Sequence, residues 1–270
     1  MKRKINLYIS WGFGEYNCSS DKNYNKLVEW VYDGSSDISF YSDHQLSLAL
    51  THNDDKKKYG WSLEPPSILP EVEKYIIDNY DLLSFHFQSI FTYNKKLLAL
   101  GPLMKQVPSW GPPWIQKREI TKKTKLISMI SSNKSMCEGH RYRLQWAEKL
   151  KDKVDLYGNG FNRIETKEEG IEDYMFSVAM ENVSMEAYYT EKIVDCFAMG
   201  TIPVYWGCSN IGEYFNEDGI IKLTDDFDIS QLSADLYYSK MEAIRENFEI
   251  TCNLPTVEDY IYENYLEGKK

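Results

Sequence analysis

The apolar positions of this chain fall into two alternating patterns. Short runs rich in Ile, Val, Leu and aromatics alternate with segments whose apolar residues recur at helical spacing. In the first half, KINLYIS (4–10), DISFYSD (37–43), YGWSL (59–63) and SIFTYN (89–94) read as strands. The loop Trp11-Gly12-Phe13-Gly14 follows the first of them. LPEVEKYIIDNY (69–80) reads as a helix with proline at its start, and KKLLAL (95–100) as a short one. In the second half, KLISMISS (125–132), VDLYG (154–158), DYMFSVAMEN (173–182), TIPVYWG (201–207) and GIIKL (219–223) read as strands. Helices are expected over 138–151 and 190–199, and two helical stretches near 229–249 and 256–267 close the chain. Strand–helix alternation at this spacing predicts parallel α/β sheets.

Composition shifts in the middle. VPSWGPPWIQ (107–116) is rich in Pro, Gly and Trp, and QKREITKKTK (116–125) is cationic with few apolar residues. The cationic run reads as a solvated linker rather than a binding patch. That places one α/β domain at 1–118, a second α/β domain at 119–255 and a C-terminal helix at 256–270. Two such halves joined by a linker predict two lobes with a cleft, where ligands usually bind.

Bulk composition narrows the classes. A net charge of −10 over 270 residues argues against a nucleic-acid or anionic-membrane binder. It leaves room for a local basic pocket. The five cysteines are scattered, with no C-x-x-C pair, which suggests reduced, mostly buried thiols. Neither Cys nor His clusters at zinc-ligand spacing, so no metal site is expected. No apolar run is long enough to span a bilayer. The expectation is a soluble, cytoplasmic protein without stable membrane insertion.

The candidate chemistry centres on YTEK (189–192). Thr190 suits a helix N-cap, Ile193, Val194, Phe197 and Ala198 form the apolar stripe, and Gly200 suits the C-terminal cap. Glu191 in the first turn is favoured by the helix dipole whatever its role. Lys192 is different: a cation there is disfavoured by about 0.3–1 kcal/mol. A bound anion would reverse the sign, because free N–H groups, dipole and ammonium would all address it. Arg143 shares a helical face with Ala147 and Leu150, so it is either ion-paired inside or aimed at a phosphate. Arg141 falls on the solvated side. Glu64 follows an apolar strand and precedes Pro65-Pro66, which keep it out of any helix. It reads as a general base or an exposed loop acid.

FSVAMENVSMEAYYTEKIVDCFAMGTIPVYWG (176–207) resembles the signature of glycosyltransferase family 10, the α1,3/α1,4-fucosyltransferases. RYRLQWAEKLKDKVDLYGNG (141–160) resembles the family's preceding Arg-bearing helix and strand, and LEPPS (63–67) its acceptor-side segment. The likeness is concentrated in 125–223. It implies the GT-B architecture, two Rossmann-like lobes, and inverting transfer of L-fucose from GDP-fucose to a glycan hydroxyl, without metal or cofactor. By match to the motif, Arg143 and Lys192 would hold the pyrophosphate, Glu191 the ribose hydroxyls, and Asn182 and Tyr188 would line the donor pocket. Glu64 would be the base. Val183 stands where the family usually has Ser, and Tyr189 where it usually has Val. The first lobe is short, and no membrane anchor or basic tail is evident.

The chemistry suits these residues. A carboxylate takes the acceptor hydroxyl proton while fixed cations stabilise the departing diphosphate. Two alternatives remain: the same fold using another nucleotide sugar, such as a pentose donor, or a sugar-binding homologue without activity.

Overall fold

The computed structural model describes residues 1–10, 12–20 and 23–267; Trp11 of the expected first loop and residues 268–270 of the expected C-terminal helix lie outside the described residues. The chain forms two compact units, Met1–Gly111 with Pro255–Lys270, and Pro112–Leu254.

The first unit is built on six parallel strands, β1 (Arg3–Tyr8), β2 (Val28–Val31), β3 (Ile38–Ser42), β4 (Lys57–Trp61), β5 (Ser89–Thr92) and β6 (Met104–Gln106), in the order β2-β1-β3-β4-β5-β6. Strands buried on both faces read as continuous runs rather than alternating ones. Accordingly every residue of β3 (ISFYS) is buried. Neighbouring residues feed opposite cores. Phe40 and Phe91 join Ile5, Leu7, Trp30 and Trp61 on one face. Tyr41 and Ile90 join Leu46, Ile76, Leu83 and Leu97 on the other. The second face is covered by α1 (Pro70–Asp78), α2 (Tyr80–His86) and α3 (Lys95–Leu98). Asn79 separates α1 from α2, so the helix expected over 69–80 stops at Asp78 and a further one follows. Strands β2 and β6 were not expected: the first is a four-residue segment broken by Glu29, the second a three-residue edge.

The end of the chain completes this unit. Helix α8 (Val257–Ile261) places Val257 and Ile261 in the first-face core. Its acids act as staples. Asp259 accepts from the backbone N–H groups of Lys26 (2.6 Å), Leu27 (2.9 Å) and Val28 (3.3 Å). Glu258 accepts from Ser19 N–H (2.6 Å) and from Trp30 Nε1 (3.3 Å).

The second unit has five parallel strands, β7 (Lys125–Ile130), β8 (Asp155–Tyr157), β9 (Tyr174–Met180), β10 (Ile202–Trp206) and β11 (Ile221–Lys222), in the order β11-β10-β9-β7-β8. The register sets Phe176 beside Ile202 and Ile127, and Val178 beside Val204 and Met129. These form one core with Trp146, Ala147 and Leu150 of α4 (Glu138–Leu150). On α5 (Glu191–Ala198) the burial is wider than the expected stripe, and only Lys192 is partly exposed. Gly200, at φ +66°, closes α5: its N–H reaches the Phe197 carbonyl (3.0 Å) and Thr201 N–H the Cys196 carbonyl (2.9 Å). This is the paired pattern of a left-handed glycine cap. The stretch expected as helical near 229–249 resolves into α6 (Ala234–Ser239) and α7 (Met241–Cys252).

The cationic run 116–125 differs from a solvated linker. Glu119 N–H donates to Ala198 O (3.0 Å), tying the run to the end of α5. Lys123 is buried, and its Nζ reaches the Met199 carbonyl (2.7 Å) and Thr201 Oγ1 (2.8 Å). A cation among carbonyls at a helix C-terminus sits at the favourable end of the dipole, a placement that composition does not reveal. Burial pushes the Lys123 pKa down to about 7, against the pull of nearby Cys196, Asp173 and Glu172. Among the described residues no helix is long and apolar enough to cross a membrane. The five cysteines are free thiols, four of them buried.

Candidate functional site

Counted within each unit, the strand order is 2-1-3-4-5-6 in the first sheet and 2-1-3-4-5 in the second. Order reverses between β1 and β3 in the first, and between β7 and β9 in the second. Ligands of such sheets bind beyond the carboxyl ends of the strands at that reversal. In the second unit the reversal opens onto Glu181 and Asn182, directly after β9.

Glu181 has no exposed surface. It accepts from Thr190 N–H (2.9 Å), from Thr190 Oγ1 (2.6 Å) and from the Tyr205 hydroxyl (3.4 Å). Thr190 thereby caps α5 while anchoring the loop to the strand end. Lys192 Nζ lies 3.6 Å from Glu181 Oε2 and 3.2 Å from Glu191 Oε1. Two acids thus offset the cost of a lysine in the first turn. Burial pushes the Glu181 carboxyl toward its neutral form despite Lys192. Lys192 is also the accessible member of the cluster, with 23% of its side chain exposed against 0% for Glu181 and 10% for Glu191.

Glu191 takes a second cation that the sequence reading missed. Lys167 Nζ lies 3.4 Å from Glu191 Oε1 and 2.9 Å from Asp195 Oδ2. Burial alone would raise the Glu191 pKa, but Lys192 and Lys167 outweigh it and hold the carboxyl down to about 2. Asp195 also accepts from Trp114 N–H (2.7 Å) and Ile115 N–H (3.3 Å).

Arg143 enters from α4, buried to 6% exposure. Its Nη1 donates to the Met180 carbonyl (3.0 Å), and its Nε has no partner. The expected alternative, a buried ion pair, is not formed among the described residues. Burial lowers the guanidinium pKa, while Glu181, Cys137, Glu191 and Tyr188 act to raise it. His140, one turn earlier, was also missed, although its i, i+3 spacing to Arg143 marks it in the sequence. It is 5% exposed, its Nδ1 has no partner, and burial together with Arg143 lowers its pKa against a hydrogen bond with Asn182.

The approach of α4 to the strand end depends on Gly139, where a Cβ would stand 2.3 Å from the Asn182 carbonyl oxygen. The loop leading to α5 is fixed at Ser184, whose hydroxyl donates to Gly207 O (2.9 Å), and at Ala187, whose N–H donates to Asn210 Oδ1 (2.7 Å). Ala187 has φ +59°, a left-handed conformation that costs an alanine about 1 kcal/mol or more. It delivers Tyr188, itself buried, beside the Arg143 guanidinium.

The structure therefore brings Arg143, Asn182, Tyr188, Glu191 and Lys192 to one strand end of the second unit. Glu64 belongs to the first unit, beyond the carboxyl end of β4 and half-buried. Asp43, expected as the last residue of a strand, instead leaves β3 with φ +48° and points its carboxylate at the Leu63 and Glu64 backbone N–H groups (2.9 and 3.3 Å).

Residues 120–248, just under half of the chain, match the profile described as "Glycosyltransferase family 10 (fucosyltransferase) C-term". This segment is a family 10 glycosyltransferase domain. It contains α4, β9, the Glu181–Thr190 loop and α5, and so all five of the clustered residues.

Relatives of the family 10 domain agree over shorter stretches. An alpha-(1,3)-fucosyltransferase of Helicobacter pylori is 35% identical over 66 residues, 24% of this chain and 14% of that protein. An alpha-(1,4)-fucosyltransferase of Arabidopsis thaliana is 35% identical over 48 residues, 18% of this chain and 12% of its own length. The matches thus span a small part of those relatives. Fold similarity extends further. A crystal structure of alpha1,3-fucosyltransferase aligns with 99% of this chain and 90% of its own at a TM-score of 0.53 and 14% identity. One with GDP-fucose aligns with 100% and 91% at 0.51 and the same identity. The chain therefore carries the fold of those structures, a GT-B architecture.

Proposed function

We propose that this protein transfers L-fucose from GDP-fucose to a hydroxyl of a glycan, with inversion and without a metal. The observation that carries the reading is the pair of cations at the β9 strand end, Arg143 with an open Nε and Lys192 as the exposed member of its cluster. The solved enzymes of like fold are described with GDP and with GDP-fucose.

In this scheme Arg143 and Lys192 bind the diphosphate, and Glu191 accepts hydrogen bonds from the ribose hydroxyls. A carboxylate held down to about 2 stays an acceptor at every physiological pH. Asn182 and Tyr188 line the donor pocket. As the glycosidic bond to phosphate breaks, negative charge grows on the diphosphate oxygens. Cations already in place stabilise that charge without reorganising. Glu64 takes the proton of the acceptor hydroxyl as its oxygen attacks the anomeric carbon from the side opposite the leaving group. Fixed cations would serve the leaving group in place of a divalent ion.

The test is a transfer assay with GDP-fucose, GDP-mannose, UDP-xylose and dTDP-sugars, with and without EDTA, followed by NMR of the product anomer. Transfer from GDP-fucose, insensitive to EDTA and with inverted configuration, supports the reading. Transfer from another nucleotide sugar replaces the donor. Retained configuration excludes the single displacement.

A further inference from the structure

Glu64 sits on a turn whose backbone is held on every side. Ser62 N–H donates to the Phe91 carbonyl (2.9 Å). The N–H groups of Leu63 and Glu64 both donate to Asp43 Oδ1 (2.9 and 3.3 Å). The Leu63 carbonyl accepts from the Tyr93 hydroxyl (3.3 Å). Pro65 and Pro66 follow, and the Pro65 carbonyl accepts from Ile68 N–H (2.9 Å). Proline at 65 confines Glu64 to extended backbone. The turn is closed by one side chain from another strand end, Asp43.

Asp43 is an unusual residue for a purely structural bond. It is 1% exposed, it adopts φ +48°, and its second oxygen, Oδ2, has no partner. A backbone amide can be tied down by a serine or an asparagine at far smaller desolvation cost. A buried carboxylate with an unused oxygen, set beside the candidate base in a strained backbone, is what a preorganised functional constellation looks like.

We infer that Asp43 is a positioning residue for Glu64: it fixes the backbone from which the base is presented, and its carboxylate strengthens the base's hold on the acceptor proton. The inference rests on the proposed role of Glu64. Like charges at close range raise each other's proton affinity. Burial, and then the Glu64 charge, raise Asp43 to about 7, against the two N–H groups that lower it. On the adjoining elements, His44 Nε2 lies 3.3 Å from Glu71 Oε1. Asp43 therefore holds a partial negative charge near neutral pH, where a base with a tighter hold on its proton gives more driving force in the transfer.

The experiment compares four full-length variants in the fucosyl transfer assay: Asp43→Gly, Asp43→Asn, Glu64→Gln and the Asp43→Gly/Glu64→Gln pair. Glycine tolerates the positive φ, so D43G removes the carboxylate without added backbone strain. Asparagine keeps an acceptor for the two N–H groups and loses the charge. The expected result is a fall in kcat of about 10- to 100-fold for D43G with the GDP-fucose KM unchanged. D43N should recover to within about fivefold of wild type at pH 8, with its pH–kcat profile losing the limb near neutral pH. In the E64Q background D43G should add nothing, because a residue that acts through Glu64 has nothing left to position. Full kcat in D43G, or a loss in the double variant that multiplies the two single ones, overturns the inference. Wild-type transfer by E64Q would instead overturn the base assignment, and the Asp43 role with it. If D43G does not fold, D43N decides alone: an unshifted pH profile contradicts the inference.

Discussion

Lys192 Nζ lies 3.6 Å from Oε2 of Glu181, a carboxylate with no exposed surface. The contact explains how a lysine is tolerated at the positive end of a helix. It also fixes what the lysine does to stability. Removing it as Lys192→Met leaves Glu181 and Glu191 facing each other with one cation fewer, and should cost about 1–3 kcal/mol in urea unfolding. Adding Glu181→Gln should return part of that loss. A double variant no more stable than K192M would show that the pair is not coupled.

Glu191 makes stability depend on acid pH. Its folded pKa of about 2 lies below the ordinary 4.5. Its contribution is therefore complete above about 4.5 and is lost as pH falls toward 2. The stability gap between wild type and Glu191→Gln should be on the order of 3 kcal/mol at pH 6 and shrink steadily below pH 4.5. A gap that does not change with pH would contradict the Lys192–Glu191–Lys167 arrangement.

Gly139 lets α4 meet the strand end. A Cβ there would lie 2.3 Å from the Asn182 oxygen, a backbone atom that cannot swing aside. Gly139→Ala should push apart the helix carrying Arg143 and the loop carrying Asn182, and weaken GDP binding at least tenfold by calorimetry. Wild-type affinity in a folded G139A protein would show that their close approach does not matter to the ligand.

Asp259 tests the separation of the two units. Three backbone N–H groups of the first unit depend on it. Asp259→Ala should destabilise that unit by about 2–4 kcal/mol, seen as faster amide exchange at residues 26–31. GDP affinity should not change, since every proposed phosphate contact lies in the second unit. A weakened GDP site in D259A would mean that the first unit shapes it.

How much of this could be read from the chain depends on where the information lies. Apolar runs marked β3, β4, β7, β9 and β10 because strands covered on both faces are predominantly apolar, with few polar positions such as Ser39, Ser128 and Ser177. The YTEK helix was legible because Thr190, Glu191 and Gly200 each fit a specific helix-end position, and Lys192 stood out because it does not. Glu181, Lys167 and Asp43 were not read as site residues, for different reasons. Glu181 looked like a residue near the end of a strand, and only its fully buried network distinguishes it. Lys167 comes from an irregular segment whose path is set by tertiary packing. Asp43 looked like a strand residue, and its positive φ is a feature of the folded backbone. The cationic run at 116–125 misled because a charge count does not see Lys123 capping α5.

The most direct measurement is titration calorimetry of GDP, in EDTA, into wild type, Lys192→Ala and Arg143→Ala. If the two cations exist for the leaving group, wild type binds GDP and each variant loses about 1.5–3 kcal/mol, roughly 10- to 100-fold in Kd. Unchanged GDP affinity in both variants, with the fold intact, would contradict the account at its centre.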